Sequence, residues 1–213
     1  MKKLFLSMVM ITIVATSKAQ IGVQAGATFA TVKITDNTSG SGSMSTSSKV
    51  GFTVGVFTDV PLSENFIFQP ALNYTQKGGK TTDTFQGITD ESNLTLNYLE
   101  LPLNFLYKPA GGFFVGAGPT LSYGLSGKNK ETVTGGQPQE TTVKFGSDAD
   151  QIKPFEFSGN LLAGYILSNG IFFSVNYNMG FSNLSNDNSE KVKNNYFGIR
   201  VGKKFGSGMM HKK

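Results

Sequence analysis

The sequence predicts an all-β protein, an eight-stranded antiparallel up-and-down transmembrane β-barrel, on three observations. Large apolar residues alternate with Gly, Ser, Thr and Asn along most of the chain, and a period of two is typical of strands with two unlike faces. The connections between the alternating segments are in turn long and short, as in outer-membrane barrels. Aromatic residues fall near both ends of the segments, where such barrels carry girdles at the two membrane surfaces.

The alternation is clearest in residues 97–125, which we predict to form a hairpin. Leu99 and Leu103 share one face of its first strand, whereas Glu100 and Asn104 lie on the other. The two strands of this hairpin are the fourth and fifth of the barrel. By the same alternation, the other six strands are predicted at residues 21–33, 50–60, 66–77, 155–167, 171–181 and 194–205.

Short turns and long polar segments separate the predicted strands. Asn169-Gly170 is the pair preferred in two-residue hairpin turns. Pro70, Pro102 and Pro119 lie inside predicted strands, and because proline removes a ladder hydrogen bond we expect these residues to mark bulges or kinks. Four long connections are predicted as polar loops, at residues 35–49, 78–92, 127–154 and 182–193.

Alternation by itself leaves two kinds of barrel open. A soluble lipocalin-like ligand-binding barrel turns its apolar face inward and its polar face to water. The polar face here is mostly Gly, Ser, Thr and Asn, and charged residues make up 15% of the chain, whereas a soluble exterior is usually about a quarter or more charged. Small residues also suit the narrow lumen of an eight-stranded barrel. We therefore expect the apolar face against lipid, with the soluble barrel as the alternative.

The chain is predicted to have three parts. Residues 1–19 have the features of a secretory signal peptide, with a charged start, an apolar stretch and a small-x-small cleavage site at 17–19. Residues 20–205 form the barrel domain, and residues 206–213 form a C-terminal tail. We expect the mature protein in the outer membrane of a Gram-negative bacterium.

Cleavage would also change the charge of the protein. The full chain has a formal net charge of +5, and the loss of Lys2, Lys3 and Lys18 leaves about +2. This weak charge gives no indication of a nucleic-acid partner. The chain has no cysteine, so an exported barrel must be held together without disulfides.

The sequence offers little for catalysis or metal binding, and we predict no enzymatic activity and no cofactor. The only histidine, His211, lies in the predicted tail, away from any partner for acid–base work. Asp148 and Asp150 have the spacing of a calcium-site fragment but lack the other oxygen ligands, so we interpret them as solvated loop residues.

Two charged residues fall on the predicted lumen face at similar depth, Glu100 on the fourth strand and Arg200 on the eighth. Charges buried in a narrow lumen must pair, because desolvation of either alone is costly. We therefore predict a lumen ion pair between them, acting as a structural plug or as a gate. Asn104, Asn160 and Asn176 are predicted to line the same lumen.

Three functions remain open from the residues alone. The first is a monomeric, non-enzymatic structural or interaction protein that contacts outer-membrane lipid and meets a cell-envelope protein partner through external loops 35–49 and 127–154. The second is a narrow, porin-like channel for transport, which would need a continuous water path through the lumen. The third is the soluble ligand-binding barrel described above.

Four segments carry a family resemblance: QPALNYTQKG at 69–78, NYLELPL at 97–103, GAGP at 116–119 and YNMGF at 177–181. On these segments, residues 20–205 resemble the small outer-membrane β-barrel proteins of Bacteroidota, the PorT-like group. The resemblance implies an eight-stranded barrel in which strand prolines are habitual. The PorT protein itself is linked to type IX secretion, and we do not transfer that role to this chain.

Overall fold

A computed structural model describes residues 19–36, 42–187 and 189–205 of the chain. Every regular element in these ranges is a β-strand, and no helix long and apolar enough to cross a membrane occurs among them. In chain order the strands are β1 (Gln20–Asp36), β2 (Ser43–Ser45), β3 (Lys49–Pro61), β4 (Phe66–Phe85), β5 (Ile88–Tyr107), β6 (Phe113–Val133), β7 (Gln139–Val143), β8 (Phe155–Ile166), β9 (Ile171–Gly180) and β10 (Glu190–Phe205).

Eight of these strands close into a ring, in the order β1–β3–β4–β5–β6–β8–β9–β10. The ring closes because β10 pairs antiparallel with β1, from Ile21 opposite Phe205 to Asp36 opposite Glu190. β2 and β7 do not belong to the ring. β2 pairs with β1, and β7 pairs with β6, at one end of the barrel. The predicted fold class, an eight-stranded antiparallel barrel, is confirmed.

The two faces of the ring have the predicted orientation. Thr28, Asn73 and Glu100 point inward and have no solvent exposure, whereas Phe52 and Leu121 point outward and are about half exposed. A wall with apolar residues outside matches a lipid environment. The soluble alternative required the opposite arrangement and is therefore wrong.

Aromatic side chains form two levels on the outer wall, as predicted. Near the short turns, the rings of Phe66 and Tyr107 lie 5.3 Å apart, and those of Phe68 and Phe105 lie 5.1 Å apart. At the opposite end the corresponding ring pairs are Phe29–Phe197, Phe52–Tyr74, Tyr123–Phe155 and Phe157–Phe181. We call these the periplasmic and the extracellular girdle.

The prediction of a polar loop at 78–92 is wrong. β4 and β5 continue through this segment as a paired hairpin whose turn is Gln86-Gly87, with positive φ of 50° and 82° at the two residues. This is the geometry that a two-residue hairpin turn of the primed type requires. The segment was missed because both of its faces meet water above the membrane, which removes the apolar alternation.

The other long connections also contain strands. β6 extends to Val133 and pairs with β7 inside the predicted loop 127–154, and β2 lies inside the predicted loop 35–49. The three longest strands, β4 to β6, have 20 or 21 residues, compared with roughly 9–11 needed to cross a bilayer with tilt. One side of the barrel therefore rises well beyond the membrane.

The strand prolines cause no shift of register, so the bulges expected at them are absent, but the ladders are interrupted where the prolines lie. Pro70 lies opposite Leu103 and Pro102 lies opposite Thr120, in ladders that keep one register on both sides of the proline. The register shift between β5 and β6 occurs instead between Asn97 and Tyr98. It lies where the barrel wall passes into the extracellular extension.

Some predictions concern segments outside the described residues. These are the signal peptide except for Ala19, part of loop 35–49, and the tail 206–213 with His211. They remain predictions.

Candidate functional site

A lysine on the lumen side, near the level of the extracellular girdle, binds two carboxylates. Lys77 Nζ lies 2.8 Å from Glu100 Oε1 and 2.8 Å from Glu156 Oε1, and all three side chains are fully buried. β4 carries Lys77, β5 carries Glu100 and β8 carries Glu156, because each lies at an inward position of its strand. The three residues therefore tie together strands from different parts of the ring.

Glu100 also accepts hydrogen bonds from neighbouring hydroxyl groups. Thr75 Oγ1 donates to its Oε2 over 2.8 Å, and Tyr196 OH donates to the same oxygen over 3.0 Å. Arg200 Nη2 in turn donates to Tyr196 OH over 3.1 Å. The two residues of the predicted ion pair thus lie in one buried network, in which Tyr196 stands between them and Lys77 forms the salt bridge to Glu100.

The buried charges in this network balance. Lys77 and Arg200 are positive, Glu100 and Glu156 are negative, and none is more than 4% exposed. Removal of a charge from water costs several kcal/mol, and only good geometry with additional hydrogen bonds offsets it. We call these four residues, with the ring of Tyr196 that lies 5.4 Å from Lys77 Nζ, the charge cluster.

A chain of amides lies below the charge cluster. Asn160 Nδ2 donates to Asn104 Oδ1 over 2.9 Å, and Asn176 Nδ2 donates to Asn160 Oδ1 over 3.0 Å. All three residues are at most 3% exposed. The three asparagines that the sequence placed on the lumen face are therefore buried, and their hydrogen bonds connect three strands. On the far wall, Gln24 Nε2 donates to Asn73 Oδ1 over 2.8 Å.

Apolar side chains fill the periplasmic end of the lumen. This plug is a cluster of buried residues with a ring contact between Phe57 and Phe172 at 5.5 Å. A Cβ on Gly22 would lie 2.2 Å from the ring of Phe57, so the wall accepts the ring only because that position is glycine. The members of the plug are Phe57, Ala71, Leu106, Phe114 and Phe172.

A second apolar layer lies at the extracellular end. The ring of Phe145, from the connection after β7, contacts Tyr98 edge-to-face with centroids 5.6 Å apart. Leu96 and Leu184 are each 1% exposed. Ile152 forms β-bridges with both Phe145 and Ser185. These bridges join the connection between β7 and β8 to the connection between β9 and β10 over the barrel mouth. We call Leu96, Phe145 and Leu184 the extracellular cap.

Sequence reasoning missed three members of the charge cluster and its surroundings, namely Lys77, Glu156 and Tyr196. The signal was present, because Lys77 shares its face with Asn73 and Thr75 at a spacing of two. All three residues lie near the ends of predicted strands: Lys77 is the last residue of 66–77, Glu156 the second of 155–167 and Tyr196 the third of 194–205. The prediction assigned lumen residues from the middle of the strands and did not extend the alternation to their ends.

Other candidate sites from the sequence have structural roles. Asp148 Oδ2 accepts a hydrogen bond from Gln151 Nε2 over 2.6 Å, and the Asp148 carbonyl accepts one from Asn186 Nδ2 over 3.0 Å. In the described ranges, no group of three or more His, Cys, Asp and Glu side chains is placed to hold a metal ion.

Comparisons with solved structures found the following similarities. The chain is 16% identical to Neisserial surface protein A, over 88% of this chain and 99% of that one, with a TM-score of 0.49. It is 11% identical to Ail, the attachment invasion locus protein of Yersinia pestis, over 88% and 99% of the two chains, with a TM-score of 0.45. It is 10% identical to the outer membrane protease OmpT from Escherichia coli, over 87% and 96%, with a TM-score of 0.42.

Comparison with protein families identifies the chain more directly. No curated protein matches it. A family model described as an outer membrane protein beta-barrel domain matches residues 12–186, which is most of the sequence. Together with the closed ring and its apolar outer wall, this match shows that the chain belongs to the outer membrane protein β-barrel domain family.

Proposed function

We propose that this chain is a monomeric, non-enzymatic outer-membrane barrel that binds a partner through its extracellular surface. The observation that carries the proposal is the one-sided height of the barrel. β4, β5 and β6 continue far above the extracellular girdle, whereas β8 and β9 have 12 and 10 residues. A lipid-embedded wall does not require the extension, so we infer that it presents a binding surface.

The extension is an ordered sheet. It consists of 78–85 of β4, 88–97 of β5, 126–133 of β6 and all of β7, which we call the extracellular sheet. Cross-strand salt bridges join Lys80 to Glu91 at 2.8 Å and Lys128 to Glu140 at 2.5 Å. Such exposed pairs contribute little stability each, but they leave the sheet with a mixed, hydrated surface.

The tip of the extracellular sheet is apolar. Phe85 is 75% exposed and Ile88 is 57% exposed, and they lie opposite each other beside the Gln86-Gly87 turn. Two adjacent large apolar side chains at the turn of this long hairpin favour a protein partner, because buried aromatic residues dominate binding energy at interfaces.

The lumen supports a non-conducting role. The apolar plug, the charge cluster and the extracellular cap fill the barrel at three levels. The narrow-channel alternative would require all three to move. Absence of catalytic activity is part of the same proposal, since the charge cluster is buried where no substrate reaches it.

We further propose two finer assignments, one based on the family resemblance and one on the signal-peptide features of residues 1–19. The chain is placed in the PorT-like group of Bacteroidota on the segments at 69–78 and 97–103, and residues 1–19 are removed on export. N-terminal sequencing of the mature protein tests the cleavage, with Gln20 expected as the first residue.

Site-specific photocrosslinking in intact cells tests the proposed interaction. A photoreactive amino acid replaces Phe85 at the tip, and in a matched control it replaces Phe68 in the periplasmic girdle. We expect a discrete protein adduct from position 85 and only lipid adducts from position 68. If folded, surface-exposed barrels gave no protein adduct from position 85, the proposed interaction would be wrong. Step currents from the wild-type protein in planar bilayers would favour the channel instead.

A further inference from the structure

Three lysines share one patch of the outer wall, at the seam where the first and last strands of the ring meet. Lys33 of β1 lies directly opposite Lys193 of β10, and Lys191 lies opposite Thr35 in the next outward pair. These odd-numbered positions continue the outward-facing series of Phe29 and Phe197. The patch therefore belongs to the outside of the barrel and not to its lumen.

The register places like charges side by side. Directly opposed residues on antiparallel strands have Cβ atoms about 4.5–5.5 Å apart, and like charges in such a pair repel. Within the described ranges none of the three lysines forms a salt bridge, whereas Lys80 and Lys128 of the extracellular sheet each pair with a glutamate. An anion between Lys33 and Lys193 would convert this repulsion into attraction.

Nearby carboxylates do not take that role. Asp36 and Glu190 form the next pair of the same ladder, but alternation directs them to the opposite face of the sheet. There Glu190 Oε1 accepts a hydrogen bond from Ser185 Oγ over 3.1 Å. The outward neighbours of the lysines are uncharged residues, Thr31 opposite Asn195 and then the ring pair of the extracellular girdle.

The height of the patch identifies the kind of anion. Lys33 follows Phe29 by four residues, about 13 Å along the strand, and strand tilt reduces this to on the order of 10 Å of height above the girdle. The girdle marks the boundary of the hydrocarbon, and flexible lysine stems lie back toward that boundary while their ammonium groups stay hydrated. The ammonium groups therefore reach the headgroup layer of the outer leaflet.

We propose that Lys33, Lys191 and Lys193 form a binding site for the phosphate of an outer-leaflet lipid headgroup, whose acyl chains lie against the Phe29–Phe197 ring pair. Phosphate chemistry fits because ammonium groups bind phosphate as point charges, and because the rings below provide the apolar contact that a free anion lacks. The site is distinct from the extracellular sheet, so it does not depend on a protein partner.

Native mass spectrometry of the folded, detergent-released protein tests the site. The probes are diphosphorylated lipid A, the same lipid after enzymatic removal of its phosphates, and inorganic phosphate. The variant combines Lys33→Gln, Lys191→Gln and Lys193→Gln. A matched control with the same change in charge combines Lys80→Gln, Lys128→Gln and Lys130→Gln on the extracellular sheet.

We expect the wild type and the control to retain phosphorylated lipid A, and the variant to bind it roughly a hundredfold more weakly. Dephosphorylated lipid should bind all three proteins equally weakly. If the triple variant does not fold, as judged by its gel mobility before and after boiling, Lys193→Gln alone should weaken binding about fivefold. Equal binding by variant and wild type would overturn the proposal. Retention of the dephosphorylated lipid would also overturn it. Displacement of lipid A by inorganic phosphate would overturn it too, because that result would assign the site to a free anion.

Discussion

At the scale of single residues, Lys77 holds the charge cluster together, because it is the shared partner of Glu100 and Glu156. Replacement of Lys77 by Met keeps the apolar stem but leaves two buried carboxylates without their cation. We expect a loss of about 3–5 kcal/mol in the free energy of unfolding, measured by urea titration in lipid vesicles. Lys80→Met, which breaks the half-exposed pair with Glu91, should change it by less than about 1 kcal/mol. Similar losses in the two variants would mean that the cluster is not desolvated.

A double-mutant cycle tests the predicted link between Glu100 and Arg200. We expect Glu100→Gln and Arg200→Gln to show a coupling energy on the order of 1 kcal/mol, because Tyr196 OH donates to the carboxylate and accepts from the guanidinium. In a Tyr196→Phe background the coupling should fall to near zero. Coupling that survives without the hydroxyl would indicate a direct interaction of the two charges.

The residues of the charge cluster show that alternation predicts which face a side chain occupies but not which partner it contacts. Glu100, Arg200 and the three asparagines could be assigned to the lumen because a period of two separates inward from outward positions. Which inward charge meets which depends on the stagger of strands around the ring, and that is a property of the closed barrel. Lys77 and Glu100 are therefore partners that no local pattern in the sequence identifies.

At the scale of elements, the extracellular hairpin of β4 and β5 is separable from the barrel wall. Thr81 and Ser92 lie opposite each other in its ladder and have the same pairing type as Phe85 and Ile88 at the native turn, so deletion of 82–91 with an Asn-Gly turn in its place preserves the register. We expect the shortened protein to assemble and to keep its mobility shift on boiling, but no longer to co-purify with the partner that position 85 of the full-length protein crosslinks.

The control for this deletion replaces Gln86-Gly87 by Asn-Gly, which suits the same primed turn and keeps the full hairpin. It should assemble and retain partner binding. Failure of the shortened barrel to assemble would show that the extracellular sheet is needed for folding and not only for contact.

The elements also explain which boundaries the sequence could predict. Strand segments between the two girdles alternate because one face meets lipid and the other meets the lumen. Above the girdle both faces of β4 and β5 meet water, so Thr, Lys and Asp occur on either side. Leu94 and Leu96 have the same parity as the inward-facing Glu100, and Leu96 points inward in the extracellular cap. Apolar residues there mark the closure of the lumen and not the lipid face.

At the scale of the whole molecule, the lumen is closed by layers of different chemistry. Apolar side chains form the first and last layers, and the charge cluster lies between them with its charges balanced. An apolar layer resists the passage of ions because it cannot replace their hydration. Glu100 and Arg200, the two residues that the sequence suggested as the closure, thus belong to one layer of three and are linked through Tyr196.

This layering predicts how conductance responds to mutation. Phe172→Ala opens space in the periplasmic plug, and Leu184→Ala opens space in the extracellular cap, but each leaves the other two layers in place. We expect no step currents in planar bilayers from the wild type or from either variant, with folding checked by the mobility shift on boiling. Steady currents from Phe172→Ala alone would contradict this expectation. They would mean that the charge cluster and the cap conduct ions, and that the periplasmic plug is the only barrier of a channel.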